Sequence, residues 1–185
     1  MGGLFFPSNM GFPFLQAEFN FSRDPKATQI VVSQDIENTI VGLDLTTKVL
    51  FKDAHFNALK AANTPITNYL SEKIKSWLFL NKLLMGGFNP HDPLCVAYLL
   101  DRSLYKVMKA SVEVEVRKER KNREFIDKKY SNSVLSLLPS LLGKNGRLTV
   151  TVPPSDSRAH KIKLGITIDK QQFLKLLIDR LAKTI

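Results

Sequence analysis

Two short runs put chemically capable side chains next to one another. The first is Ala17-Glu18-Phe19-Asn20; the second is Asn89-Pro90-His91-Asp92-Pro93-Leu94. In an extended segment, residues two apart share a face, so Glu18 and Asn20 are expected to project together with Phe19 opposite. A carboxylate beside a carboxamide offers acceptors and donors at once, which suits vicinal hydroxyls. In the second run, His91 carries an imidazole that exchanges its proton near neutral pH, and Asp92 supplies a carboxylate. Each run alone also has a plainer reading. Glu18 and Asn20 are ordinary polar residues before a helix, and Asp92 is a helix cap beside a half-buried histidine.

These groups need a frame. Gly2, Gly3, Pro7, Gly11 and Pro13 punctuate residues 1–23, which read as an irregular loop. Six of the twelve phenylalanines lie there (Phe5, Phe6, Phe12, Phe14, Phe19 and Phe21), as expected of a buried surface or a ligand wall. Asp24-Pro25 is a cap followed by a first-turn proline and opens a helix to about Val32. The apolar, β-branched run 39–45 predicts a buried strand. Helices are expected over 51–62 and 67–84, the latter with Leu70, Ile74, Trp77 and Leu78 at helical spacing. Residues 85–90, rich in glycine and ending in proline, break it.

Asp92-Pro93 repeats the cap-then-proline signature. It opens a helix to about Leu104 that is apolar on most sides, hence expected to be deeply packed. Alternation predicts a half-exposed strand over 107–116, and further strands at 148–152 and 162–168. Asp169 caps a last helix with Phe173, Leu174, Leu177, Ile178 and Leu181 in one stripe. Residues 131–146 read as a loop with a short helix. The pattern is α/β with an antiparallel extension, and no internal repeat or domain boundary divides it.

The chain has 185 residues, 44% hydrophobic and 24% charged, which suits one compact domain or part of a larger one. Its net charge of +10 favours anionic partners. The excess gathers at Lys118, Arg120, Lys121, Arg123, Lys128 and Lys129, interleaved with Glu119, Glu124 and Asp127, which reads as a solvated loop or hairpin tip. No nucleic-acid-binding motif accompanies it. A single cysteine, Cys95, precludes an intrachain disulfide and fits a reducing, cytoplasmic compartment. No apolar run reaches the roughly 18–20 residues of a membrane span, and the short apolar start lacks the basic residues of a signal peptide.

Taken together the motifs gain specificity. Met1-Gly2-Gly3, then AEFN, then Asp24-Pro25, VGLDLTTKVLF (41–51), HDPLCVAYLLDRSL (91–104) and ITIDKQQFLKLLIDRL (166–181) occur in an order that resembles the inosine–uridine-type nucleoside N-ribohydrolases. The resemblance spans nearly the whole chain and corresponds to the C-terminal portion of that family. It implies an open, mostly parallel sheet with flanking helices and a small antiparallel extension. It also implies hydrolysis of the N-glycosidic bond of purine or pyrimidine ribonucleosides to ribose and base, assisted by Ca²⁺. Glu18 and Asn20 match ribose-hydroxyl ligands, with Phe19 beside the sugar. Asp92 matches a calcium ligand, and His91 the acid that protonates the leaving base. Trp77 or Phe79 could close over the base, although either could be plain core.

The sequence departs from the family pattern in three places. The aspartate-rich DxDxxxDD segment, which supplies most calcium carboxylates and the water-activating base, does not occur in these residues. Where the family carries Gly-Asn before AEFN, this chain has Gly11-Phe12, and Asn9 is the nearest amide. The basic stretch 117–129 looks like an insertion. The expectation is therefore a single partial nucleoside-hydrolase-like domain over 1–185, inactive alone for want of the N-terminal aspartate motif. The alternative is a non-catalytic nucleoside- or ribose-binding protein, or a split-enzyme subunit whose partner chain supplies the other half. A homo-oligomer is also open; a membrane is not expected and nucleic acid is disfavoured.

Overall fold

The computed structural model describes residues 1–6, 17–116, 148–151 and 162–183. Asn9, Phe12, Phe14, the basic stretch 117–129 and the expected loop over 131–146 lie outside them. Along the chain the elements are α1 (Phe19–Arg23), α2 (Pro25–Val32), β1 (Asn38–Ile40), α3 (Leu43–Thr46), α4 (Asp53–Ala61), α5 (Pro65–Met85) and α6 (His91–Leu100). A 3₁₀ turn (Arg102–Leu104) follows, then β2 (Tyr105–Lys109), β3 (Ser111–Val114), β4 (Leu148–Thr151), β5 (Ile162–Ile168) and α7 (Lys170–Ala182). Two compact units emerge, each built from two stretches of sequence: Met1–Asp44 with Val107–Gly165, and Leu45–Lys106 with Ile166–Ile185.

The first unit holds the paired residues of the parallel strands in a three-stranded sheet. Its strands run in the order β1-β5-β2, with β1 parallel to β5 and Asn38, Thr39 and Ile40 opposite Ile162, Lys163 and Leu164. Ile40, Ile162 and Leu164 are buried there. A separate antiparallel pair, β3 and β4, sets Val112 opposite Val150 and has α2 packed against it. The parallel pair, the flanking helices and the antiparallel extension give the expected α/β class. Asp24 caps α2 as its sequence predicts, its Oδ1 accepting from the Ala27 amide at 2.9 Å.

The second unit is helical. Helices α4, α5 and α6 all pack on α7, and α4 packs on α5. Leu59, Leu94, Ala97, Phe173 and Leu174 are buried in it. Removing such side chains from water is its main stabilising term, at about 1.5–3 kcal/mol for each large one. Thr64 caps α5 through its hydroxyl, with Pro65 in the first turn. The helix stops at Gly86, whose φ of +76° is a left-handed conformation that glycine adopts without strain. Before α4 and after α5, Phe51 and Phe88 exchange backbone hydrogen bonds of 2.8 and 3.1 Å. Their rings lie 5.0 Å apart.

Several expectations need correction. The irregular start contains α1, because the Glu18 side chain caps it. The strand expected over 39–45 is confined to β1. The chain turns after Ile40 as Leu43 donates its amide to the Gly3 carbonyl at 2.8 Å and Asp44 accepts the Phe5 amide at 3.3 Å. The strand expected over 107–116 breaks at Ala110, whose amide donates to the Ile162 carbonyl at 3.1 Å, so the two halves join different sheets. Helix α6 ends at Leu100, and Asp101 caps the 3₁₀ turn that follows. It is not deeply packed on most sides: Leu94, Ala97 and Tyr98 are buried, while Val96, Leu99 and Leu100 stay more than half exposed. Hydrophobicity around a helix shows which faces could be covered, not which faces are. Among the described residues no helix is long and apolar enough to cross a membrane.

Candidate active site

In the first unit, Glu18 sits in extended backbone just before α1 and is 3% exposed. Its carboxylate accepts three backbone N–H groups: Gly3 at 3.0 Å and Phe21 at 3.2 Å on Oε2, and Asn20 at 2.8 Å on Oε1. A carboxylate has about four acceptor sites, so most of its capacity is directed to the chain itself. Asn20 is not in an extended segment. It lies in the first turn of α1, exposed, with its Nδ2 donating to the Met1 carbonyl at 3.3 Å. The expected geometry, Glu18 and Asn20 projecting together, is therefore replaced by a buried cap and an exposed amide. Phe19 is 38% exposed and carries the Arg23 guanidinium 5.8 Å over its ring.

Asn20 lines a cavity of about 390 Å³ together with Met1, Gly2, Phe21, Asp24 and Thr39. That volume falls within the range of small-ligand pockets. Its wall mixes apolar surface with amide and hydroxyl groups, so it can hold a small polar molecule by hydrogen bonds and ring contacts together.

In the second unit, His91 is the first residue of α6 and is partly buried. Its Nδ1 lies 2.7 Å from the Oγ1 of Thr46, a residue with no exposed surface. The loop before it is tied down as well. Asn89 donates its side-chain amide to the carbonyls of Thr47 at 3.1 Å and Val49 at 2.7 Å. Asp92 is exposed in the first turn of α6 and is not its cap. Pro90 holds the cap position without a side-chain bond, and the His91 amide donates to the Asn89 carbonyl. Asp92 stands at the rim of an apolar groove of about 360 Å³ between α6 and α7, lined by Val96, Leu100, Phe173, Leu177 and Arg180.

Trp77 and Phe79 lie on α5 and are 56% and 76% exposed, with Leu78 buried between them. Two residues on, a helix turns through about 200°, so these rings leave the helix on nearly opposite sides. At most one of them can close over a given ligand.

The described residues do not fit a calcium site by themselves. Ca²⁺ takes about six to eight oxygens. No group of three or more His, Cys, Asp or Glu able to hold a metal occurs among the described residues. Asp92 contributes one carboxylate.

Residues 1–175 match the family model described as inosine-uridine preferring nucleoside hydrolase. The chain belongs to that family. It is 27% identical over 169 residues to the pyrimidine-specific ribonucleoside hydrolase RihA of Shewanella sp. (strain MR-7), covering 90% of this chain and 46% of that relative. It is 30% identical over 102 residues to the inosine-uridine preferring nucleoside hydrolase of Crithidia fasciculata, covering 54% of this chain and 33% of that protein. Among solved structures, a purine-preferring ribonucleoside hydrolase from Gardnerella vaginalis superposes with a TM-score of 0.67 at 21% identity, over 88% of this chain and 45% of that one. At that identity the likeness speaks for the fold. The chain spans about half the length of the curated relatives it matches.

Thr46 and Asn89 had no assigned role in the sequence reading. Thr46 stands 45 positions from His91, and Asn89 stands 40 from Val49. No local pattern announces either contact.

Proposed function

We propose that this chain is the ribose- and base-facing portion of a ribonucleoside hydrolase, cleaving the N-glycosidic bond of a purine or pyrimidine ribonucleoside to ribose and free base. The family match over residues 1–175 carries this reading. His91 donates the proton that the departing base needs, while the oxygen of water joins the anomeric carbon. As the bond breaks, positive charge builds on the ribose, as in other glycoside hydrolyses. A positioned acid on the leaving group contributes about 10²–10⁴ in rate. Asn20 and Phe19 meet the sugar, with Asn9 as a further amide. Glu18 holds α1 and offers its remaining acceptor capacity to a ribose hydroxyl. Either Trp77 or Phe79 covers the base. Asp92 would offer one carboxylate toward Ca²⁺, and the described residues hold no group of three or more His, Cys, Asp or Glu that would complete a shell around it. A cytoplasmic setting goes with the single, free Cys95.

The 185 residues lack the aspartate-rich segment and its water-activating base, so the isolated polypeptide does not turn over. The test is ribose release from inosine and uridine with Ca²⁺ present. The 185-residue protein alone is expected to give none. Addition of an aspartate-rich segment from a full-length relative, as a fusion or a second polypeptide, is expected to give turnover. Strong calcium-dependent release by the chain alone would overturn the reading.

A second reading is a nucleoside-binding subunit of a split assembly. The cavity beside Asn20 favours it, because its lining offers amide and hydroxyl groups beside apolar surface. Calorimetric binding of a nucleoside without turnover, in the chain and in the completed assembly alike, would select it.

A further inference from the structure

One oxygen of Glu18 serves two residues at once. Its Oε2 accepts the Gly3 amide at 3.0 Å and the Phe21 amide at 3.2 Å. The strip Met1-Gly2-Gly3 is tied again at each residue. Asn20 donates its side-chain amide to the Met1 carbonyl, Gly2 donates its backbone amide to the Val41 carbonyl at 3.2 Å, and Leu43 donates to the Gly3 carbonyl at 2.8 Å. The ring of Phe21 lies directly against this strip. A Cβ on Gly2 would stand 2.6 Å from the ring's Cδ1 and closer still to Cε1, nearer than real Cβ atoms come to a neighbour. Gly2 and Phe21 both line the cavity beside Asn20.

We infer that Phe21 is the wall against which the sugar of the nucleoside packs, with glycine at position 2 leaving the ring the room to reach that place. This deepens the proposed function and rests on the sugar occupying the cavity that Asn20 lines. A furanose has two kinds of surface: hydroxyls around its edge and C–H bonds on its faces. The amide of Asn20 suits the first. An aromatic ring, flat and apolar, suits the second. The two residues are neighbours in α1, so one short helix offers both. The ring is also in place before a ligand arrives. Its own amide and the backbone it leans on end at the same carboxylate oxygen, so the wall and its support share one anchor. A wall that needs no ordering on binding leaves more of the contact energy to the complex.

Two measurements separate the packing of the ring from its contact with sugar. The first is a double-mutant cycle, read from urea unfolding of the 185-residue protein. Gly2→Ala drives a methyl group into the ring and should lower the unfolding midpoint. In a Phe21→Ala background the same change should do little harm. Equal losses in the two backgrounds would show that the ring does not rest on Gly2, and would overturn the inference. The second uses uridine and methyl β-D-ribofuranoside as probes, with the phenylalanine rings isotope-labelled for NMR. The Phe21 resonances are those missing from Phe21→Leu, which keeps an apolar side chain. Uridine should shift them and give Overhauser contacts to the C–H protons of its ribose, and the ribofuranoside should shift them the same way.

Contacts to the base alone would overturn the inference, and so would a ring moved by neither probe. In the fusion with an aspartate-rich segment, Phe21→Leu should raise KM for uridine about tenfold with kcat little changed, the pattern of a contact made equally in the ground and transition states. An unchanged KM in a fusion that releases ribose would remove the wall and leave the hydrolase reading standing. If no fusion, wild type included, cleaves uridine while the ribofuranoside still moves the Phe21 ring, the hydrolase reading fails and the sugar wall stands.

Discussion

The Glu18 carboxylate accepts the amide hydrogen of Gly3 at 3.0 Å, fastening residues 15 apart in sequence. One side chain thus caps α1 and anchors the N-terminal segment that passes beside it. Glu18→Ala strands three amides, one of them buried, and should cost about 2–4 kcal/mol in a urea unfolding curve, since hydrogen bonds to charged groups are worth about 1.5–3 kcal/mol each. Glu18→Gln keeps an acceptor and should cost roughly half as much. An alanine variant with an unshifted midpoint would show that the cap contributes nothing.

The two glycines after α5 should respond very differently to a methyl group. A Cβ on Gly86 meets open space, and only its φ of +76° opposes it, so Gly86→Ala should cost about 1 kcal/mol. A Cβ on Gly87 would lie 2.5 Å from the Phe51 carbonyl oxygen, which belongs to the backbone and cannot swing away. Gly87→Ala should lower stability by about 2–4 kcal/mol, and hydrogen exchange at the Phe51 and Phe88 amides should accelerate with it.

His55 supplies a pH dependence of known sign. Its Nδ1 accepts the Lys52 amide at 2.9 Å, which requires that nitrogen to be bare. Burial, and then the charge of Lys52, hold its pKa below the usual 6.5. The unfolded chain therefore takes up a proton first as pH falls below 6.5. Stability from this group is intact above that pH and declines below it, toward the lower folded value. His55→Asn offers an acceptor that does not titrate. Its unfolding free energy should vary less between pH 7 and 5 than that of the wild type. Equal slopes for the two proteins would exclude His55 as the source.

Tyr105 gives the opposite limb. Its hydroxyl donates to the Leu94 carbonyl at 2.6 Å, and burial, with Cys95 adding to it, pushes the phenol well above its ordinary 10.0. Here the folded state keeps the proton longer, so the contribution is present below pH 10 and lost as pH rises past it. Tyr105→Phe should cost about 1 kcal/mol at neutral pH and should flatten the fall in stability between pH 10 and 11. Ultraviolet titration of the folded protein should show one tyrosine fewer ionising in that range when the two are compared at completion of unfolding and before it.

Some of this architecture is legible because its causes are local. Asp24-Pro25 and Asp169 announce α2 and α7 within four residues, and β5 follows directly from its run of branched residues. The same reasoning misplaced the start of α6. Asp92-Pro93 has the right composition for a cap, yet Asn89 is drawn to Thr47 and Val49, and the helix begins two residues before Pro93, at His91. It also missed α1, whose cap is a glutamate, where Ser, Thr, Asp or Asn is the usual signal. The family's AEFN and HDPL residues were readable as types in order. Their contacts were not, because Thr46 and His91 stand 45 positions apart, beyond the reach of any local pattern.

The paired amides of Phe51 and Phe88 make residues 52–87 an excursion that leaves and re-enters the body at one doorway. Lengthening such a detour adds little closure entropy, about 0.6 kcal/mol for each doubling. What holds α4 and α5 in place is therefore their packing on α7, while the threshold fixes only where the chain leaves and returns, three residues before the histidine.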